Sequence, residues 1–226
     1  MKYKGILLDI DNTLYDYKVA HIFSKNVVLK YCVSEFSLSE EKINFAYEKA
    51  RKQVHVELSE TAASHNRLLY FQKMLEILNV NPMKYAIEIY SKYWDSFLDE
   101  LKPFDEIYDF LEKYKNRICL VTDLTANIQY RKIQKLGLEK YCNNLVTSEE
   151  AGREKPHPYM FMLALQKLGL KADEVCMIGD NFNKDILGSA ALGIKSIWFN
   201  HEGKQETHND KLIIEVREFK EIIKLL

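Results

Sequence analysis

The sequence predicts an α/β fold: a doubly wound, Rossmann-like parallel sheet core with an inserted all-helical cap domain. Three observations carry this. From Pro103 onward short apolar runs alternate with helical patterns, which implies parallel strands joined by right-handed crossovers. Residues from about 17 to 101 carry helical periods and no strand pattern. One strand-like run, 4–10, stands alone before them. The helical stretch therefore reads as an insertion after the first strand. The expected domains are 1–16 with 103–226 for the sheet core, and 17–102 for the helical cap.

Each element has a local reason. Gly5-Ile6-Leu7-Leu8 is a run without alternation, as expected of a strand buried on both faces. In the insert, Ser39 followed by Glu40 and Glu41 marks a helix start. Leu68, Phe71, Leu75 and Leu78 recur at spacings of three and four. Asn81-Pro82 gives an N-cap with proline at the first helical position, and Ala86, Tyr90, Tyr93 and Phe97 form the next apolar stripe. These aromatic stripes read as core. His65 and Arg67 could meet an anion, but solvent-exposed helix positions are the reading adopted for them. In the second half, strands are expected at 117–122, 144–147, 174–178 and 195–199. Helices are expected near 104–115, 126–136, 158–168 and 184–191, with a weaker strand at 212–214 and a last helix. Gly193 reads as a helix C-cap.

Composition bounds the function. The chain has 226 residues, is 47% hydrophobic and carries a formal net charge of −1. It lacks the basic footprint of a protein that binds a nucleic-acid polymer. No apolar stretch is long enough for a membrane span, and the N-terminal one is too short for a signal peptide. The four cysteines, Cys32, Cys119, Cys142 and Cys176, have no CxxC spacing and read as reduced thiols. A cytoplasmic protein, monomeric or a small homo-oligomer, is expected.

The chemistry concentrates at two strand ends. Gly5–Leu8 leads into Asp9-Ile10-Asp11-Asn12-Thr13, and Val175–Ile178 leads into Gly179-Asp180 and, further on, Asp185. Neighbouring parallel strands would gather these acids at the C-terminal edge of the sheet, where open α/β sheets bind ligands. Close carboxylates repel by about 4 kcal/mol per pair at an effective dielectric of about 20. A hard divalent cation with oxygen ligands, Mg2+ in the first place, would offset this.

These residues fall into a known order. The chain resembles the haloacid dehalogenase superfamily of phosphohydrolases, in the branch with a helical cap after the first strand. It looks most like the pyrimidine 5'-nucleotidase, sialic-acid phosphate phosphatase and phosphoglycolate phosphatase members. The first motif is Asp9-x-Asp11-x-Thr13. The second is Ile118-Cys119-Leu120-Val121-Thr122. The third is Lys155 in Glu154-Lys155-Pro156. The fourth runs from Gly179-Asp180 to Asp185. By this resemblance Asp9 is the nucleophile that forms an aspartyl-phosphate, and Asp11 is the general acid and then base. Mg2+ and Lys155 would keep Asp9 ionised while Asp11 holds the proton. Asp9, the Asp11 backbone carbonyl and Asp180 would bind Mg2+. Asp185 would hold a metal-bound water or Lys155, Thr122 and Lys155 would bind the phosphoryl group, and Thr13 would support the loop. Asp123 departs from the asparagine that many relatives carry there; it either faces away or binds a substrate hydroxyl or amine.

The resemblance implies a Mg2+-dependent phosphatase for a small phosphorylated metabolite, either a nucleoside monophosphate or a sugar phosphate. A phosphosugar mutase of the same fold and a non-catalytic phosphometabolite binder are the alternatives. The cap is expected to close as a lid, hinged near 15–18 and 101–105.

Overall fold

A computed structural model describes residues 3–226. In chain order it contains β1 (Gly5–Leu8), α1 (Tyr17–Phe36), α2 (Glu40–Glu57), α3 (Arg67–Ile77), α4 (Pro82–Asp99), α5 (Ile107–Lys113) and β2 (Ile118–Thr122). Then follow α6 (Ala126–Leu136), β3 (Asn144–Thr147), α7 (Ser148–Ala151), α8 (Pro158–Leu168) and β4 (Val175–Gly179). α9 (Gly188–Ala190), β5 (Lys195–Phe199), β6 (Ile213–Val216) and α10 (Phe219–Leu225) complete the chain. The chain divides into two compact units: residues up to Asp16 together with Lys102–Leu226, and Tyr17–Leu101. Among the described residues no helix is long and apolar enough to cross a membrane. The four cysteines are free thiols.

The first unit is a six-stranded, all-parallel sheet in the order β3-β2-β1-β4-β5-β6. The strand order reverses between β1 and β4, the switch point at which doubly wound sheets hold ligands. β1, β2 and β4 are buried along their whole length, which is why their sequences run apolar without alternation. On one face Leu7, Cys119, Val121, Val146 and Met177 pack with Met160, Phe161 and Ala164 of α8.

Several elements differ from the sequence expectation in their bounds. β1 ends at Leu8 rather than residue 10. The chain turns at once, with Thr13 and Leu14 N–H both donating to the Ile10 carbonyl at 3.3 and 3.0 Å and Asn12 at φ 66°. The helix expected from 184 begins two residues earlier as a π-helical turn, Phe182–Leu187, before α9. Its start is set by Asn181, whose side chain accepts from Lys184 N–H at 3.0 Å. α5 covers only Ile107–Lys113 of the expected 104–115.

The second unit is four helices, with α4 against α1 and α3, and α3 against α2. Side-chain caps start three of them. Ser39 caps α2 and Asn66 caps α3. Asn81, with Pro82 behind it, caps α4. Tyr47, Tyr70, Phe71, Tyr93, Trp94 and Phe97 are buried at its centre. Tyr90 of the expected stripe is only half-buried.

Arg67 corrects the sequence expectation. It is 7% exposed rather than solvent-facing. Its guanidinium stacks over Tyr70 at 5.0 Å, Tyr93 at 5.6 Å and Trp94 at 5.9 Å. It donates to the His65 carbonyl at 2.7 Å, and also to Tyr17 Oη. Each cation–π contact is worth about 0.5–2 kcal/mol, whereas burying a cation costs several kcal/mol. The rings lower that cost without supplying a counter-charge.

Leu7 is fully buried at the centre of the sheet. Leu7→Ala is expected to destabilise the protein by about 2–5 kcal/mol, read as a lowered urea midpoint at unchanged slope.

Candidate active site

The ends of β1 and β4 lie side by side, with Leu8 opposite Ile178, and Asp9 N–H donates to the Ile178 carbonyl at 3.0 Å. This pairing brings the two acidic segments together. The carboxylates of Asp9, Asp180 and Asp185 converge so that one oxygen from each lies within 4.8 Å of the others, all three buried. Gly179 makes room for this. A Cβ there would stand 2.5 Å from the Asp185 carboxylate.

Lys155 enters from the segment before α8 and is 3% exposed. Its Nζ donates to Asp9 Oδ1 at 2.6 Å and to the Val121 carbonyl at 2.9 Å, and pairs with Asp185 Oδ1 at 2.6 Å. Burial alone would push this ammonium down, but Asp185, Asp9 and Asp123 outweigh it and hold it well above its ordinary range. Thr13 Oγ1 donates to the other Asp9 oxygen at 2.9 Å. Asp185 Oδ2 accepts from Asn181 N–H at 3.0 Å, and Asp180 Oδ2 from Asn12 Nδ2 at 2.8 Å.

Asp11 has a separate environment, built by α6. Lys132 Nζ donates to both its oxygens, at 2.6 and 2.8 Å. Gln129 Nε2 donates to Oδ2 at 3.0 Å, and Tyr15 Oη donates to Oδ1. The same Gln129 amide reaches Thr122 Oγ1 at 2.8 Å and the Asp123 carbonyl at 2.7 Å, tying the end of β2 to Asp11. Lys132 is completely buried.

Asp9 and Asp11 sit in different electrostatic settings. Burial, opposed by Lys155 and reinforced by Asp185, pushes Asp9 up to about 7. Burial also acts to raise Asp11, but the Lys132 charge and the bonds from Lys132, Tyr15 and Gln129 more than offset it and hold Asp11 below the usual carboxylate range. The difference is one of charge count: Asp11 has its own buried ammonium, whereas Asp9 shares one with Asp185.

Asp123 is engaged within the protein. Its Oδ1 accepts from Lys155 N–H at 3.0 Å and its Oδ2 from Lys184 Nζ at 2.8 Å. Lys184 also binds Glu154 at 3.0 Å. Through the Lys155 N–H bond Asp123 anchors the backbone of the lysine. Leu124, which follows, sits at φ 89°, a strained conformation for a branched side chain.

The donor set fits a hard divalent cation. Burial, followed by the Asp9 charge, pushes Asp180 up, and burial raises Asp185 against the pull of Lys155. Asn12 Oδ1 is a further buried oxygen with no hydrogen-bond partner. An all-oxygen set with excess negative charge suits Mg2+.

Sequence reasoning missed Gln129, Lys132, Tyr15 and Lys184. A signal existed for two of them. Gln129 and Lys132 share the buried face of α6 with Ile128, Ile133 and Leu136, so they are polar residues at positions that the helical period reserves for core.

The sequence profile of haloacid dehalogenase-like hydrolases matches residues 3–193, and the chain belongs to that family. It is 35% identical over 202 residues to the ribulose-1,5-bisphosphate 5-phosphatase of Halopiger xanaduensis, covering 87% of this chain and 84% of that protein. It is 29% identical over 201 residues to the glyceraldehyde 3-phosphate phosphatase of Methanopyrus kandleri, covering 86% of this chain and 82% of that one. The magnesium-bound HAD-hydrolase YfnB of Bacillus subtilis has the same fold, with a TM-score of 0.72, 18% identity, and coverage of 100% of this chain and 99% of that one.

Lys132→Met is expected to raise the Asp11 pKa, followed by carboxyl carbon NMR. A carboxylate depressed by folding contributes stability that is present above its unfolded pKa and lost as pH falls through its folded pKa. The variant is therefore expected to lose stability at neutral pH, and to lose less on further acidification than the parent does.

Proposed function

We propose that this hydrolase is a Mg2+-dependent phosphatase that cleaves a small phosphomonoester, a sugar phosphate in the first place, through an aspartyl-phosphate on Asp9. The observation that carries the reading is the Lys155 ammonium held at 2.6 Å from both Asp9 and Asp185, at the switch point of the sheet. A lysine so fixed holds the nucleophile in one orientation and faces the charge of a transferring phosphoryl group. The named activities of the two relatives, both phosphatases of phosphosugars, support the choice of a sugar phosphate over a nucleotide.

Asp9 and Asp180, with Asp185 beside them and the Asp11 carbonyl nearby, would hold Mg2+. Bound there, the ion would neutralise the clustered carboxylates and draw charge from the phosphoryl oxygens. Asp9, steadied by Thr13 and Lys155, attacks phosphorus through one carboxylate oxygen. The bond to the leaving alcohol oxygen breaks, and that oxygen takes a proton from Asp11. Asp11 then accepts a proton from the water that attacks the phosphorus of the aspartyl-phosphate, and inorganic phosphate leaves with Asp9 restored. Before it donates, Asp11 has to leave the Lys132 ammonium, which favours its ionised form, and take up a proton from solvent; the proton it later accepts from the attacking water re-arms it for the next turnover. The Lys132 contact thus defines a resting position for the acid. Thr122, fixed by Gln129, and Lys155 bind phosphoryl oxygens.

The test is phosphate release from a panel of sugar phosphates, nucleotides and small acid phosphates, with Mg2+ and with EDTA. Release is expected to require the metal and to fall by at least about 10^3-fold in Asp9→Asn. Activity retained in Asp9→Asn would contradict the mechanism. A sugar bisphosphate intermediate with little phosphate release would move the assignment to the mutase.

A further inference from the structure

Asp180 is approached by a second lysine that the proposed chemistry does not use. Lys204 lies in the segment between β5 and β6. Its Nζ stands 3.4 Å from Asp180 Oδ2 and 2.8 Å from Glu202 Oε2. The sequence builds this approach locally. Asn200, buried directly after β5, accepts from Lys204 N–H at 2.8 Å through Oδ1 and donates to the Lys204 carbonyl at 2.9 Å through Nδ2. The same Nδ2 donates to Glu215 Oε1 at 2.8 Å, which ties this clamp to β6. The chain turns back through Gly203 at φ 67°, whose N–H donates to the Asn200 carbonyl at 3.1 Å. Glycine adopts that conformation without a Cβ penalty. The Lys204 backbone is therefore fixed, whereas its side chain is 42% exposed and can change partner.

A cation at this place opposes a metal ion unless it also orients the ligand. Orientation comes from elsewhere. Asn12 Nδ2 donates to the same Asp180 oxygen at 2.8 Å, and Trp198 Nε1 donates to the Asp180 carbonyl at 2.9 Å. Both are neutral donors, and both contacts are shorter than that of Lys204. Lys204 thus contributes charge rather than direction. An ammonium and Mg2+ are attracted to the same carboxylate and repel each other. Mg2+ takes its oxygens at about 2.0–2.1 Å in a near-octahedral set, which leaves an ammonium on the same carboxyl group at a disadvantage. Glu202 gives that ammonium a carboxylate to stay with.

We propose that Lys204 competes with Mg2+ for Asp180 and so sets the metal affinity of the site: when the ion binds, the ammonium withdraws to Glu202. The proposal rests on the reading of Asp9, Asp180 and Asp185 as the metal cluster.

The chain has two tryptophans, and Trp198 is bonded to Asp180. Its indole N–H resonance, distinguished from that of Trp94 with Trp94→Phe, therefore reports metal binding without turnover. Titration of the full chain with MgCl2 is expected to shift it saturably, and Asp180→Asn is expected to abolish the saturation. Ionic strength is held fixed, because salt screens the exposed ammonium. Lys204→Met keeps the stem and removes the charge. It is expected to keep the parent Tm, since the Asn200 clamp holds only the backbone, and to bind Mg2+ about 10-fold more tightly, the scale of outer-shell effects on metal affinity. Lys204→Arg keeps the charge and is expected to bind Mg2+ no more tightly than the parent does. Unchanged or weaker binding by Lys204→Met would overturn the proposal and leave the metal reading standing. An equal gain in Lys204→Arg would also overturn it, because the gain would then not follow charge. No saturable shift in the parent or in either variant would overturn the metal reading itself, and the proposal with it.

Discussion

The Lys155 ammonium between Asp9 and Asp185 is the constraint around which the sheet edge is built. Three buried carboxylates converge there, and each close pair costs about 4 kcal/mol at an effective dielectric of about 20. One lysine offsets part of this and leaves a negative excess. Several otherwise unrelated features serve that lysine. Asp123 fixes its backbone N–H, the Val121 carbonyl takes a second bond from Nζ, and Gly179 leaves space for the Asp185 carboxylate. Lys184 balances Asp123 and Glu154, so the charges that support the lysine are themselves paired.

Asp9 and Asp11 lie two residues apart and yet belong to different electrostatic neighbourhoods. The chain turns immediately after β1, sending Asp9 toward β4 and Lys155, and Asp11 toward α6. There Lys132 and Gln129 hold it. Two carboxyls with separated proton affinities are what a nucleophile and an acid need. In the proposed mechanism Asp11 leaves Lys132 and takes up a proton before it donates, and Mg2+ held by Asp9 and Asp180 would favour the ionised form of Asp9.

The parts of this fold that were legible in the sequence rest on short-range physics. Apolar runs ending in acids marked β1 and β4, and Ser39, Asn81 and Pro82 marked helix starts. Adjacency of the two acidic strand ends followed from parallel topology. What was missed depends on which face a helix buries. Lys132 and Arg67 are both charged residues in helices, and charge normally signals solvent. Both are buried, because Asp11 in one case and aromatic rings in the other receive the charge. The role of Asp123 was open for the same reason, since its partner Lys184 is 61 residues away in sequence.

The central claim, that Asp9 is the nucleophile, is tested most directly by trapping the intermediate. Protein turning over a 32P-labelled phosphomonoester would be acid-quenched within one turnover, and the bound label mapped by borohydride reduction and mass spectrometry. The account predicts label bound to the protein at Asp9 alone and absent from Asp9→Asn. Phosphate released in the first turnover with no protein-bound label at any time would mean that water attacks the substrate directly, and would contradict it.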